Sequence, residues 1–264
     1  MKVFISVDIG GTCGATGYEN WHYDNDELVH QIGIMNGELQ TVCDAINDIE
    51  STSEIVIKDS FGDGTGVDIS KLPANTSVIR GWDGGPLGPM QGINDSFDMT
   101  MLLGYNREAY TRSTCTIGRI DREISDLKIN GAMASEFLIS YYTSLYFGVP
   151  VKFVSGDKSL CDMVEVFDSQ INTVYTVERI GASVISDTPE FVNQLIFKEA
   201  QRAISNAGPI ENQIPEVFEV EIEYRQSAYA YRASFYPGTI LTDPRTIKYS
   251  SNDFMEVLRL LMFI

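Results

Sequence analysis

Four polar residues stand at the ends of segments that the sequence predicts to be strands: Asp8, Asp59, Asn106 and Asp157. Glycine-rich sequence lies beside each of them, and Asp or Asn next to Gly is typical of ordinary turns. Because the carboxyl ends of parallel strands meet at one edge of a sheet, the four together also predict a ligand site there. Carboxylates grouped in this way repel one another unless a cation, a proton or a hydrogen-bond donor lies between them.

The elements that would position these residues alternate between strand and helix. Short β-branched runs predict strands at residues 5–8, 55–59, 77–80, 101–106 and 151–157. Between the first two strands, apolar residues recur from Val29 to Ile49 at the spacing of an amphipathic helix, and a second helix is predicted over residues 132–147. This alternation predicts an α/β fold with a mostly parallel sheet flanked by helices in the N-terminal part.

The last hundred residues have a different pattern. Thr188-Pro189-Glu190 is typical of a helix start, residues 217–224 alternate like a strand with one wet face, and residues 253–263 predict a closing helix. The sequence therefore predicts an α/β domain over residues 1–160 and a smaller α+β domain over residues 161–264.

The amino-acid composition argues against some classes of binding partner. The chain has 264 residues with 19 Lys+Arg against 37 Asp+Glu, a formal charge of −18. Such acidity argues against nucleic acid and anionic membrane as partners, because both are bound by clustered Lys and Arg. The N-terminus lacks the long apolar core of a signal peptide, and no uncharged apolar run approaches the ~20 residues of a membrane span, so we expect a cytoplasmic protein. The four cysteines form no CxxC pair, which argues against a zinc knuckle or a disulfide scaffold.

One glycine-rich turn suggests a phosphate site. Asp8-Ile9-Gly10-Gly11-Thr12 resembles the phosphate loop of sugar kinases and actin-like ATPases. Such a fold also needs a second phosphate loop and an adenosine motif, and the sequence has neither at the required spacing. Nucleotide binding is therefore kept only as a minor alternative.

A second resemblance extends nearly end to end. It is carried by ISVD (5–8), KDSFGDG (58–64), LGYN (103–106), INGAMASE (129–136), GVPV (148–151), SGD (155–157) and YRASFYPG (231–238). In order and spacing these segments resemble the D-aminopeptidase family, self-compartmentalising dizinc peptidases that remove N-terminal D-amino acids. The resemblance implies zinc as the cofactor and a homo-oligomer of stacked pentameric rings, a decamer, as the assembly.

The resemblance also implies which residues hold metal, and here the chain departs from the family. Asp8 and Glu136 stand at family ligand positions and are retained. At three other ligand positions the family has Glu, His and His, whereas this chain has Gly10, Phe61 and Asn106.

A fourth departure concerns catalysis. The family's catalytic His before Thr falls at Cys115, a candidate nucleophile that Arg112 and Arg119 flank. The two histidines, His22 and His30, occupy no family ligand position, and we expect ordinary surface roles for both.

These departures predict that no zinc is bound. A catalytic zinc needs about three protein ligands and favours imidazole or thiolate, which Gly10 and Phe61 cannot supply. Asp8, Asp59, Glu136 and the Asn106 carbonyl form an oxygen set that suits Mg²⁺ or Ca²⁺ better.

We interpret the chain as a family member that has lost its dizinc centre and acts as a non-catalytic binding or assembly subunit, a pseudoenzyme. Asp59, Phe61, Tyr105 and Asn106 would line its ligand pocket, with plain core packing as the other interpretation of the aromatic residues. A peptide ligand, an active paralogue and a homo-oligomer are the expected partners. The alternative is an active hydrolase with rearranged metal ligands or with Cys115 as nucleophile.

Overall fold

The computed structural model describes residues 1–16, 25–106, 123–206, 208 and 213–264. The candidate nucleophile Cys115 and His22 lie outside the described residues. The strands are β1 (Lys2–Val7), β2 (Glu54–Asp59), β3 (Thr76–Ile79), β4 (Met99–Tyr105), β5 (Ile124–Ile129), β6 (Ala132–Met133), β7 (Val151–Asp157), β8 (Asn172–Ile180), β9 (Ser183–Ile185), β10 (Phe218–Tyr224), β11 (Ile240–Asp243) and β12 (Thr246–Ser251). The α-helices are α1 (Asn25–Ile49), α2 (Glu136–Tyr146), α3 (Lys158–Phe167), α4 (Pro189–Ser205), α5 (Ser227–Ala233) and α6 (Phe254–Phe263).

The strands form two sheets. The larger has the order β3-β2-β1-β4-β7-β8-β9 and is parallel except for the antiparallel pair β8–β9. The smaller, β11-β12-β10-β5-β6, is antiparallel throughout. This confirms the predicted α/β fold with a mostly parallel sheet flanked by helices.

Helices cover both faces of the parallel sheet, so its central strands are buried throughout and contain long apolar runs. Ile5 of β1 belongs to a core cluster with Leu39 of α1 and Ile196 of α4. Its neighbour Phe4 belongs to the other cluster, which includes α2, α6 and the inner face of the small sheet, with Ile222 as an example. Alternate residues of one strand therefore fill two separate cores.

The predicted helices are present with shifted ends. The second begins at Glu136, with Ser135 accepting a hydrogen bond from the Leu138 N–H, because Ala132–Met133 pairs with β5 as a short strand instead. In α1, Val29 and Ile49 mark the ends of the predicted apolar pattern but are exposed, and the buried face lies between them. None of the described helices is long and apolar enough to cross a membrane.

Both sheets contain strands from each side of residue 160. The parallel sheet adds β8 and β9 after that residue, and the small sheet takes β5 and β6 from before it. The division into domains at residues 1–160 and 161–264 stays a prediction from the sequence pattern.

Candidate functional site

The structure brings the four strand-end residues to one edge of the parallel sheet. Asp59 and Asp157 are the last residues of β2 and β7, and Asp8 and Asn106 directly follow β1 and β4. All four are buried, with at most 3% of any of them exposed. Parallel pairing of β1 with both β2 and β4 causes this convergence.

The turns at this edge touch one another through backbone alone. A Cβ added to Gly11 would lie 1.8 Å from the Tyr105 carbonyl oxygen, and one added to Gly156 would lie 2.1 Å from the same atom. These distances are shorter than any van der Waals contact, so both positions require glycine. The Gly11 N–H also donates to the Gly104 carbonyl oxygen at 2.7 Å.

Asp8 lies beside the turn that follows β1. Its Oδ2 is 3.4 Å from the Gly10 nitrogen and 3.4 Å from the Cβ position that Gly10 leaves empty. The Asn106 Nδ2 lies 2.4 Å from that same Cβ position. A carboxylate and an amide therefore lie around one point next to Gly10.

Glu136, the other acid that the resemblance implies as a metal ligand, is the first residue of α2 and is buried. Burial, followed by the charge of Glu136 and more weakly that of Asp8, raises the pKa of the Tyr105 hydroxyl. Both carboxylates therefore act on one hydroxyl, which also lies 2.7 Å from the Ser6 Oγ and 3.4 Å from the Ser140 Oγ.

Asp59 holds a loop. Its Oδ2 accepts from the Val67 N–H at 2.7 Å and its Oδ1 from the Phe61 N–H at 3.3 Å. Burial raises its pKa, while these amides and the charge of Lys58 oppose the rise. The contacts of the Asp59 carboxylate therefore agree with the interpretation of this residue as part of an ordinary turn.

The aromatic residues predicted for a pocket are packed in the cores. Phe61 belongs to the cluster under α1, where its ring and the Met35 side chain both lie 3.2 Å from the Cβ position of Gly66. Tyr105 is fully buried in the other cluster. A pocket lined by Asp59, Phe61, Tyr105 and Asn106 stays a prediction.

Two residues near this edge are not predicted from the sequence. Arg179 of β8 donates from Nη2 to the Gly10 carbonyl oxygen at 2.8 Å, and its Nε lies 3.9 Å from the Asp157 Oδ2. Glu38 of α1 is buried and accepts from the Cys13 N–H at 2.8 Å. Nothing in the sequence points to Arg179, which is 169 residues from Gly10. Glu38, however, directly precedes Leu39 on the apolar face of α1, and an acid there is a usable signal.

The described thiols offer no reactive group. Cys13, Cys43 and Cys161 are all buried, and desolvation is the main cause that raises each thiol pKa, to about 12 for Cys43. A thiol in such surroundings stays protonated and is a poor nucleophile. His30 is exposed on α1.

The side chains at this edge offer few donor atoms for zinc. Within the described ranges, no group of three or more His, Cys, Asp or Glu side chains is arranged to hold a metal ion. At the three positions where the resemblance implies other ligands, the chain has Gly10, Phe61 in a core and Asn106. A glycine and a phenylalanine side chain offer no donor atom, so two of these positions do not fit a zinc ligand.

The chain is similar to one protein family over almost its whole length. A family model described as D-aminopeptidase matches residues 1–263, and the chain belongs to that family. It is 24% identical over 268 residues to the D-aminopeptidase of Bacillus subtilis (strain 168), an alignment that covers 99% of this chain and 96% of that protein.

A solved structure confirms the fold. The zinc-dependent D-aminopeptidase DppA from Bacillus subtilis, described as a self-compartmentalizing protease, matches with a TM-score of 0.85 at 22% identity. The match covers 99% of this chain and 96% of that one.

Proposed function

We propose that this chain is a D-aminopeptidase family member without the dizinc centre, and that it acts as a binding or assembly subunit. The observation that carries the proposal is the environment of Phe61, which stands at a histidine position of the family. Its ring packs among apolar side chains under α1, including Met35 and Val67. A benzene ring in a core has no lone pair to offer a metal, so this ligand is lost in both chemistry and surroundings.

The remaining donors support the same proposal. Asp8 and Glu136 are two oxygen ligands, whereas a catalytic zinc site uses about three protein ligands and leaves one position open for water. Without a metal, no bound water reaches a pKa of about 7, and the hydrolytic step lacks its nucleophile.

Assembly is the second part of the proposal. The chain matches DppA, described as self-compartmentalizing, over 99% of its own length. The shared fold supports an assembly of the same kind. We propose a homo-oligomer of rings, with a peptide ligand or an active paralogue as further partners.

Zinc content tests the proposal. The purified protein is incubated with zinc, freed of excess, and measured by elemental analysis beside the Bacillus subtilis D-aminopeptidase as a positive control. We expect no stoichiometric zinc in this chain and no release of D-alanine from D-alanyl peptides.

The matched variants are Asp8→Asn and Glu136→Gln, which keep side-chain size and remove charge. Both should leave the zinc content of the protein unchanged. About two zinc ions per chain, lost on either substitution, would refute the proposal and restore the peptidase interpretation. Light scattering tests the assembly, and a monomer contradicts it.

A further inference from the structure

We propose that Gly10 and Asn106 form a matched pair, in which the Asn106 amide fills the space beside Asp8 that a side chain at position 10 would enter. The Asp8 carboxylate thereby has an amide neighbour where a cation would otherwise lie. This inference rests on the proposed function and names the residue that closes the site to a metal ion.

The contact geometry at Gly10 is specific. A Cβ there would lie 2.4 Å from the Asn106 Nδ2, whereas the next nearest atom, the Asp8 Oδ2, is 3.4 Å away. Gly10 does not have a positive φ, unlike Gly14 in the same turn. Its backbone therefore accepts any L-residue, and the Asn106 amide is the main obstacle to a side chain.

Burial limits the movement of the Asn106 side chain. Asn106 is 3% exposed and directly follows Tyr105, the last residue of β4, which is fully buried. The short Asn side chain has two rotatable bonds, which limits how far its amide can move from the space beside Gly10. A larger residue at position 10 thus displaces the Asn106 amide.

The chemistry of the amide suits this place. Asp8 and Glu136 are both buried acids, and the Asp8 carboxylate lies beside the space that the amide fills. An amide adds N–H donors and no charge, whereas a carboxylate at position 106 would place a second anionic oxygen ligand beside that of Asp8. Carboxylates around one point favour a hard divalent cation.

A double-mutant cycle tests the pair. Gly10→Ala alone should lower the midpoint of thermal unfolding by about 4 °C or more, because the methyl group overlaps the amide. With Asn106→Ala in the background, adding Gly10→Ala should have almost no effect, since the overlap is gone.

Gly11→Ala is the matched control. Its methyl group would overlap the Tyr105 backbone, which no substitution at position 106 removes. It should destabilise the protein equally in both backgrounds. Additive effects of Gly10→Ala and Asn106→Ala overturn the pairing of the two residues.

Metal binding tests what the pair excludes. Asn106→Asp, incubated with Zn²⁺, Mn²⁺ or Mg²⁺ alone, should gain about one ion per chain by elemental analysis and a metal-dependent rise in the unfolding midpoint. Asn94→Asp adds the same charge at an exposed position and should gain no ion.

The outcomes separate the two proposals. If Asn106→Asp binds no ion while the unsubstituted protein also binds none, the exclusion by Asn106 is wrong and the proposed function stands. If the unsubstituted protein itself binds an ion that Asp8→Asn removes, the proposed function and this inference both fail.

Discussion

Glu38 predicts an unusual pH dependence of stability. It is 2% exposed on α1; its Oε1 accepts from the Cys13 N–H, and its Oε2 has no hydrogen-bond partner within the part of the chain that the structure describes. Burial raises its pKa from 4.5 to about 8, with the Cys13 amide opposing the rise. Around neutral pH the folded protein therefore holds a proton on Glu38 that the unfolded chain releases.

The sign follows from this difference in bound protons. The pKa of Glu38 is higher in the folded state than in the unfolded state. Its contribution to stability is therefore greatest below about pH 4.5 and falls as the pH rises to about 8. Each pH unit in that window costs about 1.4 kcal/mol, which amounts to roughly 3 kcal/mol between pH 4.5 and pH 7. Carboxylates with lowered pKa values oppose this trend, so the contribution of Glu38 must be isolated by substitution.

The substitution Glu38→Gln isolates the contribution of Glu38 to the pH dependence of stability. Glutamine keeps the carbonyl that accepts from Cys13 and does not ionise, so the substitution should remove this pH dependence. Urea unfolding at a series of pH values should show the variant gaining stability relative to the unsubstituted protein, by about 3 kcal/mol between pH 4.5 and pH 7.

The matched control is Asp44→Asn, which removes an exposed carboxylate from the same helix. It should leave the difference between pH 4.5 and pH 7 unchanged. If the profiles of Glu38→Gln and the unsubstituted protein run parallel, Glu38 has the same pKa in the folded and unfolded states and the reasoning from its burial is wrong.

Three further predictions concern the candidate edge and the thiols. Tyr105→Phe removes the hydroxyl that lies 2.7 Å from the Ser6 Oγ and should lower the free energy of unfolding by about 1 kcal/mol in urea; an unchanged value contradicts that bond. Asp157→Ala removes the acceptor for the Leu160 N–H at the start of α3 and should cost about 1 kcal/mol, whereas Asp157→Asn should retain most of it, and equal losses argue against capping. The three described cysteines should resist iodoacetamide in the native protein and react after unfolding, and fast native labelling of any of them on mass spectrometry contradicts their burial.

Local patterns were sufficient to predict much of the fold. The strand β7 has the predicted bounds, and Thr188 and Pro189 begin α4 as predicted. The convergence of Asp8, Asp59, Asn106 and Asp157 followed from the parallel pairing of their strands. These predictions succeeded because strand ends and helix caps are determined by a few neighbouring residues.

The contacts of the site residues needed the tertiary structure. The carboxylate of Asp59 bonds loop amides that come up to eight residues later, and Arg179 reaches Gly10 across most of the chain. The close approach of Asn106 to Gly10 joins two turns that are far apart in sequence. Such contacts depend on which strands become neighbours, and a single sequence contains no local pattern for them.

The backbone contact among Gly11, Tyr105 and Gly156 has a consequence for how this family can change. The Tyr105 carbonyl oxygen, not its ring, occupies the space where the two glycines lack a Cβ. The spacing of the three turns therefore does not depend on the side chains that project from the edge. Ligand residues at this edge can therefore be exchanged, singly or as the pair at positions 10 and 106, while the frame that presents them keeps its shape. The residues of the site and the fold that presents them can therefore change independently. A chain that retains these glycines can lose or regain an active site while its fold stays the same.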